Sequence, residues 1–374
     1  MPQKNRRSQL KICTIAWLHK WYSKTMTKRF FVIMVLILIG ASKSFAHGGN
    51  CACTAFRYAG IGGPIITLPA YTMKKGMKSI SIGLNYLDSG RIDSAGTTNV
   101  LNSNAHADDN SGSISPSLAL AYGVTDRFNV FGTMPYRLSY GFREITDEGI
   151  EAQGDSFGFG DLNLLGQYKV YDSGSFQTAL LGGIKLPTGQ TEVIADNQER
   201  FETKNQPGTG SFDPMFGISL SKQYKNFGVD FSFIYKISTE GAQNTTVGDV
   251  ANYAIAISKG INHDHADPFL HHHDDDNHKK TTLQKIFPEH VLGQHLTWDL
   301  VLESITHWEE KPVIDGITNP NHGGTTTFIN PGIRMTLNDK IVSNLSIGFP
   351  IIEVLNGEQG GSNLQILFSM GANF

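Results

Sequence analysis

The chain has 374 residues, with 31 Lys+Arg, 34 Asp+Glu, 40 Gly and three Cys. Nine of the basic residues and none of the acidic ones precede residue 47, so the remainder carries 22 basic against 34 acidic side chains. That excess of negative charge, about −12, disfavours nucleic acid as a partner and suits cations, and so few cysteines exclude a disulfide framework.

The first element is an export signal. Lys28 and Arg29 precede an apolar run from Phe30 to Ala41, and Ser44-Phe45-Ala46 follows it. A basic start, a short apolar core and small residues at −3 and −1 predict a signal peptide over residues 1–46, cleaved after Ala46, with Met26 as an alternative start. The run is shorter than the ~20 residues a membrane-spanning helix needs. Residues 47–76 are then expected to form a periplasmic N-terminal segment. It opens with His47 and holds Cys51 and Cys53, an imidazole and two thiols with the affinity for Cu or Zn that such ligands have.

From residue 77 onward the pattern has period two. Ile80, Ile82, Leu84 and Tyr86 alternate with Ser81, Gly83, Asn85 and Leu87. Val229, Phe231, Phe233, Tyr235 and Ile237 alternate with Asp230, Ser232, Ile234, Lys236 and Ser238. Leu296, Trp298, Leu300 and Leu302 alternate with Thr297, Asp299 and Glu303. At the end, Leu364, Ile366, Phe368, Met370, Ala372 and Phe374 share one face and polar residues the other, except Leu367. One oily and one polar face over ~9–11 residues is the length and pattern of a strand that crosses a bilayer. Twelve such segments are predicted: 77–87, 113–123, 127–140, 159–171, 175–186, 212–223, 227–239, 247–259, 293–307, 325–337, 341–350 and 362–374. The expected fold is all-β, a closed antiparallel transmembrane β-barrel of about 12 strands over residues 77–374. Closure follows because an open edge in hydrocarbon leaves backbone groups unpaired at several kcal/mol each. Long and short links alternate, and Val124-Thr125-Asp126, Asp172-Ser173-Gly174 and Asn338-Asp339-Lys340 have tight-turn chemistry. The exception is 260–292, a long insertion where a short periplasmic turn is expected. The terminal strand ending in Phe resembles the closing signal of outer-membrane barrels in Gram-negative bacteria.

Several phrases, SLALAYGVTDRFNVFGTMPYR (117–137), FGDLNLLGQYKVY (159–171), GIKLPTG (183–189) and STEGAQNTTVGDVANYAIAIS (238–258), resemble a family of bacterial outer-membrane proteins labelled as transporters of the meta-pathway of phenol degradation. The resemblance implies passage of small solutes, hydrophobic or aromatic ones included, with outer-membrane lipid as surroundings. It implies no catalytic residue.

Two sets of side chains carry chemistry. In the insertion, His263, His265, His271, His272, His273 and His278 are interleaved with acidic residues that include Asp274 and Asp275. Imidazole and carboxylate together are ligands for Zn, Ni or Cu, and such a tract reads as metal binding or as a solvated polar loop. On the strands, Asp230, Lys236, Asp299 and Glu303 are expected to line the lumen, as a polar channel or as internal ion pairs. No H-E-x-x-H or P-loop occurs, and an enzyme is not expected. The reading is an outer-membrane channel or transporter for small solutes, porin-like in form, with a divalent-metal-binding periplasmic insertion. The alternatives are a metal-handling outer-membrane protein and a structural barrel without transport.

Overall fold

The computed structural model describes residues 64–374 apart from 104–105, 225–226, 262–289 and 292–293. The signal peptide, the segment 47–63 and nearly all of the His/Asp-rich insertion therefore lie outside the described residues.

Twelve long strands form the wall: β1 (Lys78–Ser89), β2 (Gly112–Thr125), β3 (Phe128–Thr146), β4 (Leu162–Asp172), β5 (Phe176–Leu186), β6 (Asp213–Tyr224), β7 (Phe227–Lys236), β8 (Val250–Gly260), β9 (Gln294–Glu309), β10 (Gly324–Leu337), β11 (Ile341–Leu355) and β12 (Ser362–Asn373). Each pairs antiparallel with its sequence neighbours. The ring closes through β1 and β12, with Ser79 opposite Asn373 and Tyr86 opposite Ile366. β8 and β9, which flank the insertion, are also paired, from Val250 opposite Glu309 to Gly260 opposite Asp299. All twelve predicted segments are strands, within a few residues of their expected bounds.

The two faces behave as the alternation requires. On β1, Ile82 is 59% exposed and Ser81 only 6%. The outward face is a continuous apolar surface because lipid is its solvent, and the inward face carries the polar side chains. The short turns lie at one end. Gly174 N donates to Asp172 Oδ1 (2.9 Å), and Asn338 and Asp339 both take positive φ, which Asn and Asp tolerate in a tight hairpin turn. β8 ends and β9 begins at this same end.

The long links lie at the other end and are partly structured. β3 continues past the wall to Thr146 and pairs with Gly149–Phe159, a stretch expected to be loop. This hairpin projects beyond the hydrocarbon, so no lipid face imposes an oily alternation on it. Helix α1 (Ser94–Leu101), capped by the Asp93 carboxylate, which accepts from Gly96 N, packs Val100 with Ile92, Ala107 and Ile145.

Placing a charge on the lipid face should be costly. Ile82→Arg, near the middle of β1, is expected to destabilise the barrel by ~2–4 kcal/mol in urea unfolding from lipid vesicles. Ser81→Ala, one residue away and facing inward, should cost less than ~1 kcal/mol by the same measurement.

Candidate functional site

The inward face is layered. On the five adjacent strands β3 to β7, Phe131, Leu165, Leu181, Met215 and Ile234 point into the lumen and form one apolar cluster. Towards the short-turn end, Asn129, Gln167, Gln177, Ser221 and Asp230 form a polar level on the same strands. Towards the long-loop end, Lys185 and Lys236 approach Asp213 at 3.0 and 3.7 Å, and Lys185 also pairs with Asp161 at 2.8 Å.

The chain's own residues 64–73 cross this interior. They have no strand beside them, so wall side chains satisfy their backbone. Arg334 on β10 donates to Pro64 O (3.2 Å). The Glu303 carboxylate on β9 accepts from Ile66 N (3.0 and 3.1 Å) and Thr67 N (2.9 Å). Ser232 Oγ accepts from Leu68 N (3.2 Å), Ser221 Oγ from Ala70 N (2.8 Å), and Asn129 Oδ1 from Met73 N (3.1 Å). Gln167 Nε2 donates to Pro69 O (2.6 Å). The segment thus runs from β10 past β9, β7 and β6 to β3. It then reaches the β2–β3 turn, where Asp126 Oδ1 accepts from Lys75 N (2.8 Å).

Its side chains complete two apolar clusters. Leu68 and Met73 join the five wall residues named above, and Ile65 and Ile66 pack with Ala254, Val301, Ile305 and Leu367. Fully burying side chains of this size contributes ~1.5–3 kcal/mol each.

Of the expected lumen residues, Glu303 is 0% exposed and holds the crossing segment. Asp230 is buried beside it in the interior and accepts from Ser221 Oγ. Asp299 is buried directly opposite Arg334 in the β9–β10 register. Lys236 lies at the charged level near the long loops. The segment 47–76, expected in the periplasm, is corrected for its described part: residues 64–73 are inside the barrel, because their apolar side chains and unpaired amides find partners only there. One signal of this was in the sequence. Leu367 and Ile234, the apolar residues on the polar faces of their strands, are the ones packed against this segment or its cluster.

The expected metal ligands His47, Cys51, Cys53, His263, His265, His271, His272, His273, His278, Asp274 and Asp275 lie outside the described residues. Among the described residues no group of three His, Cys, Asp or Glu side chains is placed to hold a metal.

A family model described as "Putative MetA-pathway of phenol degradation" matches residues 137–352, from within β3 to within β11. No match is found among curated protein sequences. Among solved structures, an outer-membrane channel from Pseudomonas putida F1 superposes with a TM-score of 0.53 at 13% identity, covering 82% of this chain and 98% of that one. A monoaromatic hydrocarbon channel (TM-score 0.36, 10% identity, 80% and 88% covered) and a FadL homologue from Pseudomonas aeruginosa (0.33, 8%, 89% and 99%) are more distant. The first of these likenesses establishes the fold, an outer-membrane β-barrel.

Removing the Glu303 carboxylate leaves buried amides without an acceptor, at ~1–3 kcal/mol per group. Glu303→Ala should therefore speed hydrogen exchange at Ile66 and Thr67 by about tenfold or more while the exchange of wall strands such as β5 is unchanged.

Proposed function

The chain belongs to the MetA-pathway phenol-degradation family, and on that premise we propose that it is an outer-membrane channel for small hydrophobic solutes, aromatic ones included. The observation that carries this reading is the crossing of the lumen by residues 64–73. A water-filled pore for polar solutes would keep its mid-section open and hydrated. Here the mid-section is spanned by a segment whose Ile65, Ile66, Leu68 and Met73 pack on inward Phe, Leu, Met and Ile side chains. A solute that passes must exchange places with apolar side chains, which favours an apolar solute.

The buried polar groups have a defined part in this proposal. Glu303, Arg334, Gln167, Ser221, Ser232 and Asn129 hold the segment's backbone across the lumen. Side-chain-to-backbone bonds of this kind can be broken a few at a time, whereas the wall's continuous ladders cannot. Movement is thus confined to the segment. Export by residues 1–46 and periplasmic placement of the short-turn end complete the proposal. That end is where the link 261–293 leaves and re-enters the wall, so Zn, Ni or Cu held by its His and Asp residues would be bound on the periplasmic side.

The test is uptake by intact cells with and without the protein. Expression should accelerate entry of a labelled monoaromatic compound and leave a sugar of similar size unaffected. Equal acceleration of the sugar, or none of the aromatic, would sink the reading. In planar bilayers the wild type should conduct ions poorly, and deletion of residues 64–73 should raise that conductance. Zn²⁺ added on the short-turn side should alter the deletion pore's conductance, and an unchanged conductance would count against metal binding by the insertion.

A further inference from the structure

Three long loops emerge from the rim after β1, β5 and β9 (90–111, 187–212 and 310–323). In a ring of twelve strands these exits are four strands apart, a third of the circumference each. Strands spaced ~4.8 Å apart and tilted ~40° put such exits about 20 Å from one another. Yet all three loops meet at one carboxylate. Asp108, from the first loop, is 4% exposed. It lies 2.9 Å from Lys204 Nζ and accepts from Asn205 Nδ2, both of the second loop, and lies 3.0 Å from His322 Nε2 of the third. Ala107–Asp109 of the first loop pairs with Arg143–Ile145 of the β3 extension, so the second and third loops must lean in from exits a third of the rim away to reach Asp108.

We infer that these loops form a lid over the outer mouth and that Asp108 is its latch, so that the lumen above residues 64–73 is reached from outside only when the Asp108 contacts open. The inference concerns access to the lumen and stands whichever solute crosses.

The contacts around Asp108 make it the common partner. The His106 ring stands 3.1 Å from Glu144 on the β3 extension and 3.4 Å from Glu202 in the second loop, and its carbonyl accepts from Asn321 Nδ2 (2.9 Å) in the third. Lys204 also pairs with Glu202 at 2.9 Å. From below, Arg137 on β3 donates to Gln206 O (3.0 Å). The link 356–361 between β11 and β12 braces the third loop, with Asn356 Nδ2 donating to His322 O (3.1 Å) and Glu358 N to Asn321 Oδ1 (3.1 Å).

The charge states fit a closed latch. Burial acts to raise the Asp108 carboxyl, but Lys204 and His322 overcome it and hold the group well below the ordinary carboxylate range. Burial acts to lower the Lys204 ammonium, but Asp108 and Glu202 overcome it and raise it. Burial and the neighbouring Lys204 charge lower the His322 imidazole. The node is one carboxylate against one ammonium with a neutral imidazole and an amide beside them. Loss of the carboxylate leaves the buried Lys204 cation with Glu202 and the His322 ring, and the loops without their shared contact.

The test measures access without requiring transport. A thiol reporter, Asn163→Cys, is placed on the inward face at the loop end of β4, in a chain also carrying Cys51→Ser and Cys53→Ser. Ile317→Cys, at a loop tip that is 74% exposed, sets the unhindered rate. Intact cells are treated from outside with a membrane-impermeant maleimide. In the parent the Asn163→Cys thiol should react far more slowly than the Ile317→Cys thiol. Adding Asp108→Ala should raise the Asn163→Cys rate by about tenfold or more, since labelling follows the open population. The Ile317→Cys rate should not change. Mobility on unboiled denaturing gels shows whether the barrel has folded. If Asp108→Ala does not fold, His322→Ala, which removes one spoke of the latch, should give a smaller rise. A folded variant with an unchanged Asn163→Cys rate, or a parent in which that thiol already reacts at the unhindered rate, overturns the lid. Either result leaves the solute reading to be judged by uptake, so the two fail separately.

Discussion

A backbone amide in hydrocarbon must find its partner within the protein. The twelve-stranded ring satisfies that constraint by pairing every strand with its sequence neighbours and β12 with β1. The alternation of faces follows, since a pleated strand in a closed ring has one side in lipid and one in the lumen. Placement of the loops follows too, because the segments outside the hydrocarbon can be long and irregular.

Inside the ring the same accounting takes another form. Residues 64–73 lie away from any strand, and two of them are prolines with no amide to donate. Five of the other amides and two carbonyls are matched by side chains of β3, β4, β6, β7, β9 and β10. This explains why a lumen with apolar clusters also contains fully buried Glu303, Asn129 and Arg334. A ladder would need only backbone, but a lone extended segment needs carboxylates, amides and a guanidinium aimed at it. Apolar packing of Ile65, Ile66, Leu68 and Met73 supplies the attraction, and the polar groups set which residue sits at which strand.

The middle of the lumen and its rim are therefore both governed by contacts that skip across the barrel. The crossing segment links β10 to β3 through the interior, and the loops after β1, β5 and β9 link thirds of the rim. The strands between carry only nearest-neighbour ladders. That division separates a rigid wall from parts held by a few specific side chains, as passage through a closed barrel requires.

The sequence by itself determined the wall. Strand number, strand faces, tight turns and closure could all be read because a bilayer imposes a two-residue period and a minimum length on each strand independently of the others. It also put Asp230, Lys236, Asp299 and Glu303 on the polar face of their strands; Asp230, Asp299 and Glu303 are buried, and Lys236 lies 3.7 Å from Asp213. What they meet there was decided only by the tertiary structure. Glu303 finds amides 236 and 237 residues away, and Asp108 meets Lys204 and His322 from loops a third of the rim apart. Such contacts leave no periodicity. The crossing segment is too short and too rich in proline to read as a strand, and its trace was the apolar residues that interrupt the polar faces, Ile234 and Leu367 among them. Local pattern records which medium a side chain faces, but a partner brought in from far along the chain is fixed only when the ring closes.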